Sequence, residues 1–209
     1  SGTTSFPKGI CHDTENLIKN ALEFNRKNNI SENSRFYHIF PMNYMAGFLN
    51  SIISPIMAGG TIVFKEKFNI NFAINFHKTL KNNNINYIWL NPTMLKTINH
   101  FQKKKVKLNK NLKVFIGTAP LNIADKKNFI KKFSIIPLES YGMTEILIFS
   151  SQKKEQKSKK SNVGSILKGC KIFNNKKNEL LVKSPFINKF NYNLKKRKYE
   201  SVNLKKKFN

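Results

Sequence analysis

Three short stretches of this 209-residue sequence concentrate side chains that handle anions and divalent cations. The first, Ser1-Gly2-Thr3-Thr4-Ser5-Phe6-Pro7-Lys8-Gly9, is small, hydroxyl-rich and closed by a lysine. Such a loop can wrap phosphate oxygens with inward-pointing backbone N–H groups, and Lys8 adds a point charge. It is not the Walker pattern, which needs a glycine, four residues and then Gly-Lys-Ser/Thr. The second, Ser140-Tyr141-Gly142-Met143-Thr144-Glu145, offers an aromatic face for a purine, a hydroxyl for a phosphate and a hard carboxylate suited to Mg²⁺ shared with a nucleotide. The third, Gly117-Thr118-Ala119-Pro120-Leu121, is made of small residues that leave room for a flat base or an acyl chain against the backbone. Taken singly, each has a plainer reading: a terminal loop, a turn with a surface glutamate, a strand-to-helix turn.

The elements that must position these stretches alternate between helix and strand periodicity. Helices are expected over His12–Asn28, capped by Asp13 or Thr14, and over Ala46–Met57, Asn71–Asn82, Pro92–Phe101 and Ile123–Phe133. Strands are expected over Phe36–Phe40, Thr61–Phe64, Asn86–Leu90, Leu112–Ile116 and Ile135–Leu138. This order predicts an α/β fold, a mostly parallel sheet flanked by helices, with ligands at the carboxyl ends of the strands. The unusual turns fall there, after Phe40, Leu90, Ile116 and Leu138. Residues 1–150 form this α/β unit. From 151 the character changes to a charged run at Lys153–Ser161 and then short strand patterns at Lys171–Phe173 and Glu179–Lys183, the start of a β-rich subdomain. The tail from Leu194 is basic and reads as lacking a closing element.

The formal net charge of +27 raises nucleic-acid binding as a function of a different class, since clustered cations gain affinity by releasing counterions. Against it, the lysines are scattered, only Arg26, Arg35 and Arg197 are arginines, and the lysine-rich runs are not interleaved with aromatics. Lys, Asn, Ile and Phe dominate together, as A/T-rich codons would produce. No specific nucleic-acid partner is expected. The uncharged run Met45–Phe64 has the length of a membrane span, but Asn50, Pro55 and Gly59-Gly60 break it into a helix, a turn and a strand. Cys11 and Cys170 have neither metal nor disulfide spacing, which fits a cytoplasmic protein.

Together and in order, the stretches resemble the adenylate-forming superfamily of acyl-CoA synthetases, aryl-CoA ligases, luciferases and peptide-synthetase adenylation domains. The resemblance rests on the hydroxyl-rich loop ending Pro7-Lys8-Gly9, on Pro41-Met42-Asn43-Tyr44-Met45-Ala46-Gly47, and on Gly59-Gly60 before a strand. It continues through Pro92-Thr93-Met94-Leu95, Gly117–Leu121, Tyr141-Gly142-Met143-Thr144-Glu145 and Asn178-Glu179-Leu180, reaching to about Tyr192. It implies that ATP and Mg²⁺ activate a small-molecule carboxylic acid as an acyl-adenylate, which a thiol, commonly that of coenzyme A, then displaces. Thr3, Thr4 and Lys8 would embrace the β- and γ-phosphates. Tyr141 and Gly142 would lie at the adenine, with Gly117, Thr118, Ala119 and Pro120 opposite. Thr144 would contact the α-phosphate and Glu145 would hold Mg²⁺, so that Lys8, Thr144 and Glu145 carry the catalysis. Tyr44 would stand at the aromatic gate, usually His, and Tyr44, Asn91, Thr118 and Met143 would wall the acid's pocket.

Ser5, Asn178 and Ser184 stand where the family has glycine. The family's ribose-binding Asp turn, its small carboxyl-terminal domain and the strand before the phosphate loop are absent, so the expectation is a central fragment unable to complete catalysis by itself. The runner-up within enzymes is an amino-acid-adenylating domain. It is disfavoured because no Asp or Glu lies between Phe36 and Phe64 to meet a buried ammonium.

Overall fold

The structure, a computed structural model, describes residues 9–153, 162–175 and 179–202. Its centre is a seven-stranded sheet built from β2 (Arg35–His38), β3 (Thr61–Phe64), β4 (Tyr87–Leu90), β5 (Lys113–Ile116), β6 (Leu138–Met143), β7 (Leu147–Ser151) and β8 (Ser165–Ile166). The spatial order is β3-β2-β4-β5-β6-β7-β8. Pairing is parallel from β3 through β6 and antiparallel from β6 to β8. The parallel strands are joined through helices: a π-helical segment (Ala46–Ile53) running into α2 (Ser54–Met57), then α3 (Ile70–Asn82), α4 (Pro92–Phe101) and α5 (Ile123–Phe133). Together with α1 (Thr14–Asn28) they cover the sheet on both faces, as crossover connections require.

Strand alternation sorts the aromatic core into two layers. Phe36 stacks on Tyr87 at 4.9 Å and Trp89 on Phe115 at 4.9 Å, and Phe24 of α1 covers this layer, 5.4 Å from Trp89. Tyr37 points the other way and meets Phe72 of α3 at 5.3 Å, while Phe76 packs edge-on to Phe133 of α5. Three helices start on an asparagine whose Oδ1 accepts an otherwise orphaned N–H at 2.7 Å: Asn69 from Phe72, Asn91 from Met94 and Asn122 from Ala124. A nearly buried Lys126–Glu139 pair at 2.7 Å ties α5 to β6.

The helix expected over Ala46–Met57 is present with those bounds, π-helical to Ile53 and α-helical afterwards. Its N-terminus packs so close to the preceding turn that a Cβ on Gly47 would lie 2.1 Å from Pro41 O. The strand expected at Ile135–Leu138 starts instead at Leu138. Pro137 has no N–H to give a ladder, so pairing begins after it. As a result Ser140–Met143 lie inside β6 and do not follow a strand; the turn comes at Thr144–Ile146. The change of composition at Ser150 falls within β7, and β8 still belongs to the large sheet.

The tail does close. β12 (Lys198–Ser201) pairs with β11 (Phe190–Asn193), which pairs with β1 (Gly9–Cys11) in a small antiparallel sheet. A separate hairpin joins β9 (Lys171–Asn174) to β10 (Leu180–Lys183). Among the described residues no helix is long and apolar enough to cross a membrane.

Candidate active site

Three segments leave the carboxyl ends of β2, β5 and β6 and meet around one cavity of about 140 Å³. The β2 side supplies Phe40, Tyr44, Met45, Ala46 and Asn50, β4 and β5 supply Leu90, Gly117 and Thr118, and β6 with its turn supplies Ser140 to Thr144. Trp89 and Ile148 complete the wall. Every described residue lining this cavity is uncharged.

Local geometry explains the residue types. Gly117 closes β5, its N–H donating to Leu90 O at 3.3 Å, and a Cβ there would stand 3.4 Å from both Ser140 Oγ and Trp89 Cζ3. Thr118 follows at φ 76°, a left-handed conformation that a β-branched residue rarely adopts. Its side chain is exposed, so local packing does not account for that conformation. Such strain gathers at functional positions.

In β6, Ser140 Oγ donates to Ile116 O at 3.2 Å, which fixes β6 against β5. Gly142 sits at a register shift facing β7, where a Cβ would lie 2.3 Å from Leu147 O. The three-residue loop Thr144–Ile146 then turns the chain, Ile146 N–H donating to Met143 O at 3.1 Å, with Leu147 at φ 60°. Two tethers hold this loop from outside. His12 Nε2 donates to Thr144 O at 2.5 Å, and Asn188 N–H donates to Glu145 O at 2.9 Å. The segment between β1 and α1 and the segment before β11 therefore both brace the loop that carries Thr144 and Glu145.

Tyr141 is 39% exposed, its ring edge-on to Phe149 at 6.5 Å, which leaves a face open for stacking. Tyr44 is 46% exposed and lies against Phe40, ring centres 6.0 Å apart, at the opposite side of the cavity wall.

The structure thus brings together Tyr44, Gly117, Thr118, Tyr141, Gly142, Met143 and Thr144. Ala119 and Pro120 continue from Thr118 as exposed residues outside the cavity lining, and Glu145 is half-buried one residue beyond Thr144. Asn91 does not line the cavity; its side chain is engaged in capping α4. Thr3, Thr4 and Lys8 lie outside the described residues. No cluster of three His, Cys, Asp or Glu able to hold a metal occurs among the described residues. Glu145, one residue beyond the lining, carries a carboxylate of the type that would suit a magnesium ion completed by nucleotide oxygens and water, since Mg²⁺ is held by one or two carboxylates plus phosphates.

Sequence reasoning missed His12 and Asn50. His12 gave no signal beyond being a polar residue at the expected start of a helix, which the structure begins at Thr14. Asn50 had one: it is a primary amide inside the uncharged run Met45–Phe64, where a buried polar side chain calls for a partner.

The sequence matches the AMP-binding enzyme family over residues 1–184. Among curated proteins it is 24% identical over 186 residues to the mitochondrial malonate–CoA ligase ACSF3 of Bos taurus, covering 82% of this chain and 31% of that protein. It is 26% identical over 153 residues to a putative acyl-coenzyme A synthetase of Emericella nidulans, covering 69% of this chain and 27% of that one. The chain therefore spans less than a third of these relatives. Among solved structures, the o-succinylbenzoate coenzyme A synthetase MenE of Bacillus subtilis, in complex with ATP and magnesium, superposes with a TM-score of 0.79 at 20% identity over 94% of this chain and 42% of that one. ATP-bound MatB of Rhodopseudomonas palustris gives 0.74 at 20% identity, over 93% and 40%. These likenesses show the fold, a mixed α/β unit similar to the N-terminal domain of adenylate-forming enzymes.

Proposed function

Because the chain belongs to the AMP-binding enzyme family, we propose that it is part of a ligase that activates a carboxylic acid with ATP and passes the acyl group to the thiol of coenzyme A. The observation that carries this reading is the convergence of Tyr44, Thr118 and Tyr141–Thr144, from three separate strand ends, on one cavity. In this reading the open face of Tyr141 stacks on adenine, and the Gly117–Thr118 backbone bounds the base on its other side. Thr144 donates its hydroxyl to the α-phosphate, and the loop bearing it is pre-positioned by His12 and Asn188. The acid's carboxylate oxygen attacks the α-phosphorus and pyrophosphate leaves, giving an acyl-adenylate; the thiol sulfur then attacks the acyl carbon and AMP leaves. Glu145 would hold Mg²⁺, which neutralises phosphate charge when bound. The chain's own contribution is orientation of two anions in a site whose described lining is uncharged.

The test is calorimetric titration of the protein with ATP and AMP, with and without magnesium, beside the Tyr141→Ala variant. AMP should bind, and Tyr141→Ala should weaken it by about tenfold, the scale of a lost aromatic–base stack. A protein that binds neither nucleotide, or a Tyr141→Ala variant with unchanged affinity, would sink the reading.

A further inference from the structure

Asn50 is 5% exposed, lines the cavity, and its Oδ1 has no hydrogen-bond partner among the described residues. Trp89, on the same wall, is 2% exposed and its indole Nε1–H is likewise without an acceptor. Natural interiors rarely leave such groups unmet, and the exceptions call for a specific account. Asn50 lies within the π-helical segment, and Met45, the residue just before that segment, lines the cavity beside it. The terminal torsion of asparagine is soft, so either end of the amide can be presented to a ligand.

We infer that the cavity is built for an acid whose acyl part carries a neutral hydroxyl, recognised by the Asn50 amide. A hydroxyl can donate its proton to the unpartnered Oδ1 of Asn50. An alkyl acid would leave that oxygen unmet. A second carboxylate would enter a site whose described lining holds no cation, and an ammonium one whose described lining holds no carboxylate. This deepens the ligase reading and rests on it for the identity of the cavity as the acid's site.

The experiment is calorimetric titration of the protein, with and without AMP, using four acids of matched length: butanoate, 3-hydroxybutanoate, 3-aminobutanoate and succinate. The hydroxy acid should bind about tenfold more tightly than butanoate, the scale of one buried hydrogen bond made or lost. Asn50→Leu, similar in shape, should erase that preference, and Asn50→Ser, which keeps a hydroxyl, should retain part of it. Equal or tighter binding of butanoate, succinate or the amino acid, no measurable binding of any acid, or a preference that survives Asn50→Leu would overturn the inference. Should Asn50→Leu fail to fold, the ranking in the unmodified protein and its response to Asn50→Ser decide the matter. Loss of AMP binding with the hydroxy-acid preference intact would instead overturn the ligase reading and leave the cavity's chemistry standing.

Discussion

Thr118 combines three features that make one substitution informative: φ 76°, an exposed side chain, and a place in the cavity lining. A non-glycine residue held in the left-handed region costs about 1–3 kcal/mol, with β-branched residues at the upper end. Thr118→Gly removes that cost and, because the side chain is exposed, gives up little packing. Against it, glycine frees the unfolded chain by about 0.5–1 kcal/mol. The balance is a variant more stable by about 1–2 kcal/mol, which at this chain length is roughly 2–8 °C in melting temperature. The same change removes the hydroxyl and loosens the backbone beside the cavity, so AMP affinity should fall by about fivefold, the scale of one hydrogen bond. Thr118→Ala serves as the control. It loses the hydroxyl while keeping a Cβ in the left-handed region, so affinity should drop with little gain in stability. Thermal melts followed by circular dichroism, paired with AMP titrations, read both quantities. A Thr118→Gly variant that melts lower than the parent would refute the claim that strain is stored at this position. One that is more stable with unchanged affinity would refute the claim that the strain serves the site.

Two further outcomes follow from the same geometry. Gly142→Ala would drive a methyl to 2.3 Å from the Leu147 carbonyl oxygen, a backbone atom that cannot swing aside, so the β6–β7 pairing should weaken by about 1–3 kcal/mol, visible as a lower melting temperature and weaker AMP binding. Lys27 of α1 is buried against β8, donating to Ser165 Oγ at 2.9 Å and also to Ser165 O, and burial first, with Lys153 second, pushes its pKa down from the ordinary 10.5 to about 8. Between those two values the unfolded chain holds a proton that the folded chain has released, so stability rises with pH through that window. The gain should be about 2 kcal/mol from about pH 7.5 to about pH 9.5, and a Lys27→Met variant should lack it. Melting curves of the two proteins that run parallel across this range would contradict the assignment.

Much of the fold was legible because each signal was local. Thr61–Phe64, Pro92–Phe101 and Ile123–Phe133 appear in the structure with the bounds their periodicity set. Apolar spacing decides which face of a helix or strand is buried, and Pro92 and the capping asparagines mark where helices begin. The start of β6 was misjudged because the apolar Ile135-Ile136 outweighed the missing donor at Pro137. The closing sheet of β1, β11 and β12 was not legible at all. It pairs Gly9–Cys11 with Phe190–Asn193, some 180 residues apart, by backbone hydrogen bonds that leave no mark on side-chain type. Gly142 and Gly47 show the reverse: their presence was plain, but only coordinates reveal that Leu147 O and Pro41 O occupy the space a side chain would need.

What the sequence determined by itself was membership and order: the α/β alternation, the motif residues, and the placement of Gly117–Leu121 just after a strand, because parallel-sheet topology forces consecutive strand ends to one edge. What only the tertiary structure decided was which of those residues share a cavity and what else faces it. Asn91 and Thr118 looked equivalent as residues just after strands, yet Asn91 spends its side chain capping α4 while Thr118 faces the cavity. His12 and Asn50 carried no motif, yet one pins the Thr144 carbonyl and the other contributes to the wall a side chain whose amide oxygen has no partner among the described residues. The physical reason is that motifs record what the backbone must do locally. A site's polarity is fixed by side chains that meet across tens of residues, and that meeting depends on packing no single stretch encodes.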